Sequence, residues 1–236
     1  MLDILRVRRY ASTMPRRQGG TAGGFVYHVL NRAVARVRIF EQAGDYAAFE
    51  GVLEEALERE PVSLLAYCVM PNHWHLVVRP AGDGQLSEFM RWLTLTHVKR
   101  WHAWHRTSGS GHLYQGPFKS FPVATERYFY TVCRYVESNA LRAGLVGRAE
   151  AWRWTSLWRR LRGDADSRAL LADWPEPCPP NWPALVNEAL PAAHLAEIKR
   201  SLDHGIPFGP EAWRERVARR LGLDPCPRPR GRPRKA

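Results

Sequence analysis

The sequence predicts an α+β protein: a single antiparallel sheet with helices packed on it, in the ferredoxin-like manner. Three observations carry this expectation. Short runs rich in aromatic and branched residues alternate with helical periodicities, in the order β-α-β-β-α-β-α. The two middle strand runs are separated only by a Met70-Pro71-Asn72 turn, which makes them a hairpin. The chain has 236 residues, of which 45% are hydrophobic, enough to fill a core between such layers.

Residues 1–24 read as a basic arm, with Arg6, Arg8, Arg9, Arg16 and Arg17 against a single acid, Asp3. Phe25 to Arg32 (FVYHVLNR) reads as the first strand. Asp45 to Glu60 reads as a helix, with Asp45 as its N-cap and Phe49, Leu53 and Leu57 at every fourth position. Ser63 to Met70 and His73 to Arg79 are the hairpin strands. Gln85 to His105 is a long helix whose apolar side holds Leu86, Phe89, Leu93 and Val98, and the Gly109 to Gly111 segment breaks it. Phe118 to Val123 is a further strand, and Glu126 to Ala143 is a helix stopped by Gly144. These elements suggest a catalytic unit over 25–150, with helices on one side of the sheet. From Trp152 the texture changes to clustered tryptophans and prolines, then a helical stretch from Ala192 to His204, giving a helical extension over 151–224. The last twelve residues, PCPRPRGRPRKA, carry five basic side chains and four prolines and are expected to form a disordered basic tail, 225–236.

The charge narrows the choice of partner. Lys+Arg 35 against Asp+Glu 23 gives a net charge of +12, which favours a polyanion, most often nucleic acid. All but four of the 35 basic residues are arginine, whose planar fork grips phosphate and guanine edges. No apolar run reaches the roughly 18–20 residues of a membrane span, and Met1 to Gln18 lacks a signal-peptide core. The four cysteines form no CxxC pair, which argues against a disulfide scaffold or a structural zinc site. A reducing cytoplasm is the expected location.

Two segments carry candidate chemistry. In Pro71-Asn72-His73-Trp74-His75-Leu76, residues two apart on a strand face the same way, so His73 and His75 project together while Trp74 turns into the core. Two adjacent imidazoles can hold a metal ion, although paired histidines also simply line polar surfaces. In Arg134-Tyr135-Val136-Glu137-Ser138-Asn139, Tyr135 and Asn139 share a helical face that Arg142 extends. A phenol, a carboxamide and a guanidinium there can serve a phosphate as nucleophile, metal ligand and anion clamp. Without the histidines, a surface tyrosine packed on its neighbours is the simpler account.

Together these segments resemble a known family. AYCVMPNHWHLVVRP (Ala66 to Pro80) resembles the motif of two histidines around a bulky hydrophobic residue found in single-tyrosine HUH transposases. YHVLNRAVARVRIF (Tyr27 to Phe40) is similar to that family's opening strand and loop, and RYVESNALRAGLV (Arg134 to Val146) to its tyrosine helix. The subgroup most resembled is the REP-associated tyrosine transposases, whose C-terminal region Ser201 to Leu223 and the following RPRGRPRK also resemble. Two departures stand out. Ala33 occupies a position where the family often has Gly, and residues 1–13 have no counterpart, which leaves Met14 as a second candidate start.

The resemblance implies the HUH nuclease fold and cleavage of single-stranded DNA, with Tyr135 as nucleophile and His73, His75 and Asn139 as metal ligands. Two neutral nitrogens and an amide oxygen leave positions open on a six-coordinate ion, which suits Mg²⁺ or Mn²⁺ better than zinc. It implies a 5′-phosphotyrosine intermediate and a hairpin DNA partner with palindromic repeats, and, from the REP-associated subgroup, a monomer, whereas insertion-sequence relatives share active sites across dimers. His28, on the opening strand, is within range of such a site as a base, with a structural histidine as the simpler account. Arg16, Arg17, Arg32, Arg36 and Arg38 form a candidate DNA-reading surface beside Arg142, and Arg230, Arg232 and Arg234 of the tail resemble minor-groove arms. Trp92, Trp101 and Trp104 are candidates for base stacking, against core packing. A catalytically silent hairpin-binding regulator, or a phosphodiesterase using water, would share the charge but not need all four site residues.

Overall fold

The structure, a computed structural model, describes residues 21–223. Residues 1–20 of the N-terminal arm and the whole basic tail expected from the sequence, and with them Arg16, Arg17, Arg230, Arg232 and Arg234, lie outside the described residues. Strands β1 (Val26–Arg32), β2 (Val62–Met70), β3 (His73–Pro80) and β4 (Lys119–Val123) form one antiparallel sheet in the order β2-β3-β1-β4. Helix α1 (Ala43–Arg59) joins β1 to β2, and α2 (Gln85–Trp104) joins β3 to β4. This is the ferredoxin-like strand order. None of the described helices is long and apolar enough to cross a membrane.

Both faces of the sheet are covered, not one. The hairpin strands read VSLLAYCVM and HWHLVVRP, apolar at both parities, so each face must find a cover. On one face Val29, Leu64, Trp74 and Leu76 pack with Phe49 and Leu53 of α1 and Phe89 and Leu93 of α2. Full burial of each such side chain contributes on the order of 1.5–3 kcal/mol. On the other, Leu30, Cys68, Val77 and Phe121 meet α3 (Arg127–Glu137), α7 (Trp182–Asn187) and α8 (Ala192–His204) through Phe129, Val132, Trp182 and Ile198. The helix expected from Glu126 to Ala143 is two, α3 and α4 (Asn139–Arg142), parted at Ser138. Asp45 is not the N-cap of α1. It sits at the third helical position and accepts from the backbone N–H groups of Glu41 and Gln42 at 2.9 and 3.0 Å.

Late residues close both sheet edges. Along β2, Val69 N–H donates to the Trp154 carbonyl, Thr155 bridges Cys68, and Ala172 N–H donates to Leu64. Along β4, Phe208 exchanges backbone bonds with Pro122 and Ala124. Helices α5 (Ser156–Arg162) and α6 (Ala165–Ala169) precede α7, and α9 (Glu211–Arg220) follows Phe208.

Two buried polar networks fasten this wrapping. Arg159 of α5 pairs with Glu50 of α1 at 2.9 Å, and Tyr67 Oη donates to the same carboxylate at 2.5 Å while accepting from Arg159 Nε at 2.8 Å. Glu137, at the end of α3, accepts from Ser156 Oγ at 2.5 Å and Trp182 Nε1 at 2.6 Å. Burial pushes the Glu137 carboxyl above its ordinary value, with Arg160 and the two hydrogen bonds opposing.

Candidate active site

Register places the site at one end of the central strands. Arg32 lies opposite His73 and Leu30 opposite His75, so His28, Leu30 and Arg32 share a sheet face with both histidines. Trp74, of opposite parity, is fully buried in the other core and donates through Nε1 to Tyr114 Oη at 2.9 Å. Helix α3 crosses the histidine face. The Tyr135 ring stands edge-on to His75 at 5.6 Å and to His28 at 6.0 Å. The His73 and His75 rings are 5.0 Å apart. The Arg142 guanidinium lies over the Tyr135 ring at 4.1 Å, a cation–π contact. Tyr128, seven residues earlier, packs instead on Phe208 at 5.3 Å.

Each histidine has one nitrogen already engaged. Asn72 Nδ2 donates to the Arg36 carbonyl at 3.0 Å, which turns its Oδ1 toward His73 Nδ1 at 2.5 Å. An amide oxygen only accepts, so the His73 proton sits on Nδ1 and the lone pair on Nε2. His75 Nδ1 is 2.9 Å from His28 Nε2. Burial, then the charges of Arg32 and Arg142, push His73 down to about 3. Burial, then His28, His73, Arg142 and Arg32, push His75 well below its ordinary value. Both rings are therefore neutral near pH 7, as ligation requires.

Several polar atoms here are left open. The Asn139 side chain is 8% exposed, and its Nδ2 is buried without a partner, as are Arg32 Nε, Ser138 Oγ and His28 Nδ1. Among the described residues, neither Arg32 nor Arg142 pairs with an acid. Also among them, no cluster of three or more His, Cys, Asp and Glu is placed to hold a metal ion. The two neutral imidazoles are a smaller donor set than such a cluster, and a divalent cation on them would take its remaining ligands elsewhere.

The structure thus brings together His73, His75, Tyr135, Arg142 and Arg32, the last across from His73, and places Asn139 as the first residue of α4, between Tyr135 and Arg142 in the chain. Arg36 is exposed in the 3₁₀ turn Val34–Arg36, where Ala35 and Arg36 have left-handed φ of 51° and 58°. Ala33 has ordinary extended backbone, φ −61°, so this turn needs no glycine there. Arg38 is exposed beside Tyr46. Trp92 and Trp101 pack on the core, Trp101 donating to the Ile39 carbonyl, whereas Trp104 is 81% exposed. Asn72 was not singled out from the sequence. Its place beside His73 in the hairpin turn was the available signal.

The family model for IS200-like transposases matches residues 22–139, half of the chain and all of the site except Arg142. The chain belongs to the IS200-like transposase family. The resemblance to single-tyrosine HUH transposases is borne out at that level. Among solved structures, a REP-associated tyrosine transposase bound to a REP hairpin is similar with a TM-score of 0.49 and 18% identity, over 66% of this chain and 88% of that one. A candidate transposase from Deinococcus radiodurans R1 gives 0.38 and 17%, over 48% and 88%. No curated protein matches this IS200-like transposase.

Proposed function

We propose that the protein cleaves and rejoins single-stranded DNA at or near palindromic, REP-like hairpins, with Tyr135 as nucleophile. The observation that supports this most is the placement of Tyr135 against His75 under the Arg142 guanidinium, with Tyr128 turned away on Phe208. In this reading the Tyr135 oxygen gives up its proton and bonds to phosphorus. The P–O3′ bond breaks and the leaving 3′ oxygen takes up a proton, giving a 5′-phosphotyrosine and a free 3′-OH. A phenol is a good leaving group, so a 3′-OH can reverse the step, which favours strand joining over hydrolysis.

His73, His75 and Asn139 would hold Mg²⁺ or Mn²⁺. That ion supplies charge stabilisation to the scissile phosphate. Arg32 and Arg142, cations without acid partners among the described residues, flank the phenol where the phosphate would supply the missing anion. Arg36 and Arg38, exposed beyond the histidines, suit contacts to the rest of the strand. With both sheet edges covered by the chain itself and every site residue on one chain, we infer a monomer.

The test is incubation of the full chain with labelled hairpin DNA bearing a single-stranded flank, with Mn²⁺ or with EDTA, on a denaturing gel. A protein–DNA adduct that needs Mn²⁺ and Tyr135 is expected. Cleavage without an adduct points to water as nucleophile. Binding without cleavage points to a silent hairpin-binding regulator.

A further inference from the structure

One buried histidine of the site has no role in that scheme. His28 is fully buried on β1, packed on Phe121 at 5.0 Å and edge-on to Tyr135 at 6.0 Å, and among the described residues its ring hydrogen-bonds to His75 alone. An apolar ring would fill the same space beside Phe121 without burying polar nitrogens, one of which has no partner. Keeping an imidazole there is costly, and its hydrogen bond to His75 points to its use.

A neutral imidazole has a single lone pair, on the nitrogen opposite its proton. A histidine can ligate only if something holds the proton on the far nitrogen. For His73 that group is Asn72, oriented by the Arg36 carbonyl. For His75 the only group on Nδ1 is His28 Nε2. Building on the metal site proposed above, we propose that His28 is a positioning residue: its Nε2 accepts the Nδ1 proton of His75 and so presents the His75 Nε2 lone pair to a divalent cation. A carboxylate would do this in many metal sites. Here it would place a negative charge beneath Arg32 and Arg142, which the proposed phosphate needs unneutralised. A neutral acceptor keeps the site cationic.

The role predicts a tautomer, measurable in the metal-free wild type without any variant. Long-range ¹H–¹⁵N spectra of the histidine-labelled full chain should show His75 protonated on Nδ1. A His75 protonated on Nε2 overturns the proposal. Two variants then separate positioning from packing. His28→Phe keeps the ring and removes the acceptor. His28→Gln returns a carbonyl oxygen to the position of Nε2. By calorimetric titration with Mn²⁺, His28→Phe should bind about 10–100-fold more weakly than wild type with its thermal unfolding not lowered, and His28→Gln should recover most of that loss. Equal Mn²⁺ affinity in wild type and His28→Phe overturns the role of His28 alone. A wild type that binds no Mn²⁺ overturns the metal site itself.

Discussion

The protein buries polar groups in two contrasting ways. In the network of Glu50, Tyr67 and Arg159, the carboxylate, phenol and guanidinium satisfy one another, and Glu137 has a donor on each oxygen. By contrast, four buried atoms on His28, Arg32, Ser138 and Asn139 have no partner among the described residues. The first network ties α5 to α1 and β2 and leaves nothing for a ligand to do. The second is incomplete within the chain. Buried polar groups left open are costly to the folded state, and four of the seven such side-chain atoms among the described residues belong to these residues, an opening that a ligand would complete.

Substitutions should break this contrast in opposite ways. The largest effect is expected at Tyr135. Tyr135→Phe should lower strand cleavage by about 10³-fold or more, the scale of removing a nucleophile, and abolish the covalent adduct. Hairpin affinity and urea stability should stay near wild type. Tyr128→Phe should retain the adduct, and its disappearance there instead would transfer the role to Tyr128.

In the satisfied network the loss should fall on stability. Arg159→Met strands the Glu50 carboxylate among apolar groups and should cost about 3–5 kcal/mol in urea unfolding. Adding Glu50→Gln should return part of it. A single variant within about 0.5 kcal/mol of wild type would show that the pair contributes little.

Acid should act through the buried histidines. His28, His73 and His97 are each held down to about 3, burial being the main cause. The unfolded chain takes up these protons near pH 6.5, the folded protein only near 3. Their contribution to stability is therefore fully present above pH 6.5 and is lost as pH falls toward 3. Each adds a slope of up to about 1.4 kcal/mol per pH unit in that window. Urea midpoints of metal-free protein at pH 7 and pH 5 check this, and His97→Phe, far from the proposed site, should flatten the slope by one proton. An unchanged slope would mean that His97 is not held neutral.

The smallest effect on folding is expected at Asn139. Asn139→Ala removes an amide whose Nδ2 has no partner among the described residues, so unfolding should shift by less than about 1 kcal/mol and in either direction. Mn²⁺ affinity should fall, though less than for His73→Ala, because water can replace a neutral amide ligand. A large loss of stability would place Asn139 with the scaffold.

Much of this was legible in the sequence because strand parity is local. The HWH run alone is enough to send His73 and His75 one way and Trp74 the other, and Gln85–Trp104 follows from its apolar spacing. What was not legible depends on register and on distant partners. Arg32 reads only as the end of the first strand, and its place across from His73 is set by the register of β1 against β3. His28 reaches His75 only through that same pairing, 47 residues apart. Part of the covering of the second sheet face comes from residues after Trp152, such as Trp182, in a proline-rich stretch that carries no periodicity. The split at Ser138 is silent too, since the run from Glu126 to Ala143 has an unbroken helical pattern.

The closure of both sheet edges by late residues has a consequence for how the chain reaches its fold. Trp154 and Phe208 are synthesised long after β2 and β4, the strands they border. Until each emerges, the nascent sheet carries bare backbone donors and acceptors on its flanks, open to pairing with other chains. Contacts of such long sequence separation also form slowly. A chain halted after α4 should therefore be the species that aggregates, and the release of the last helices should be the event that makes the protein soluble. Refolding yield measured against truncation point, with a step expected once Phe208 is included, would register that order.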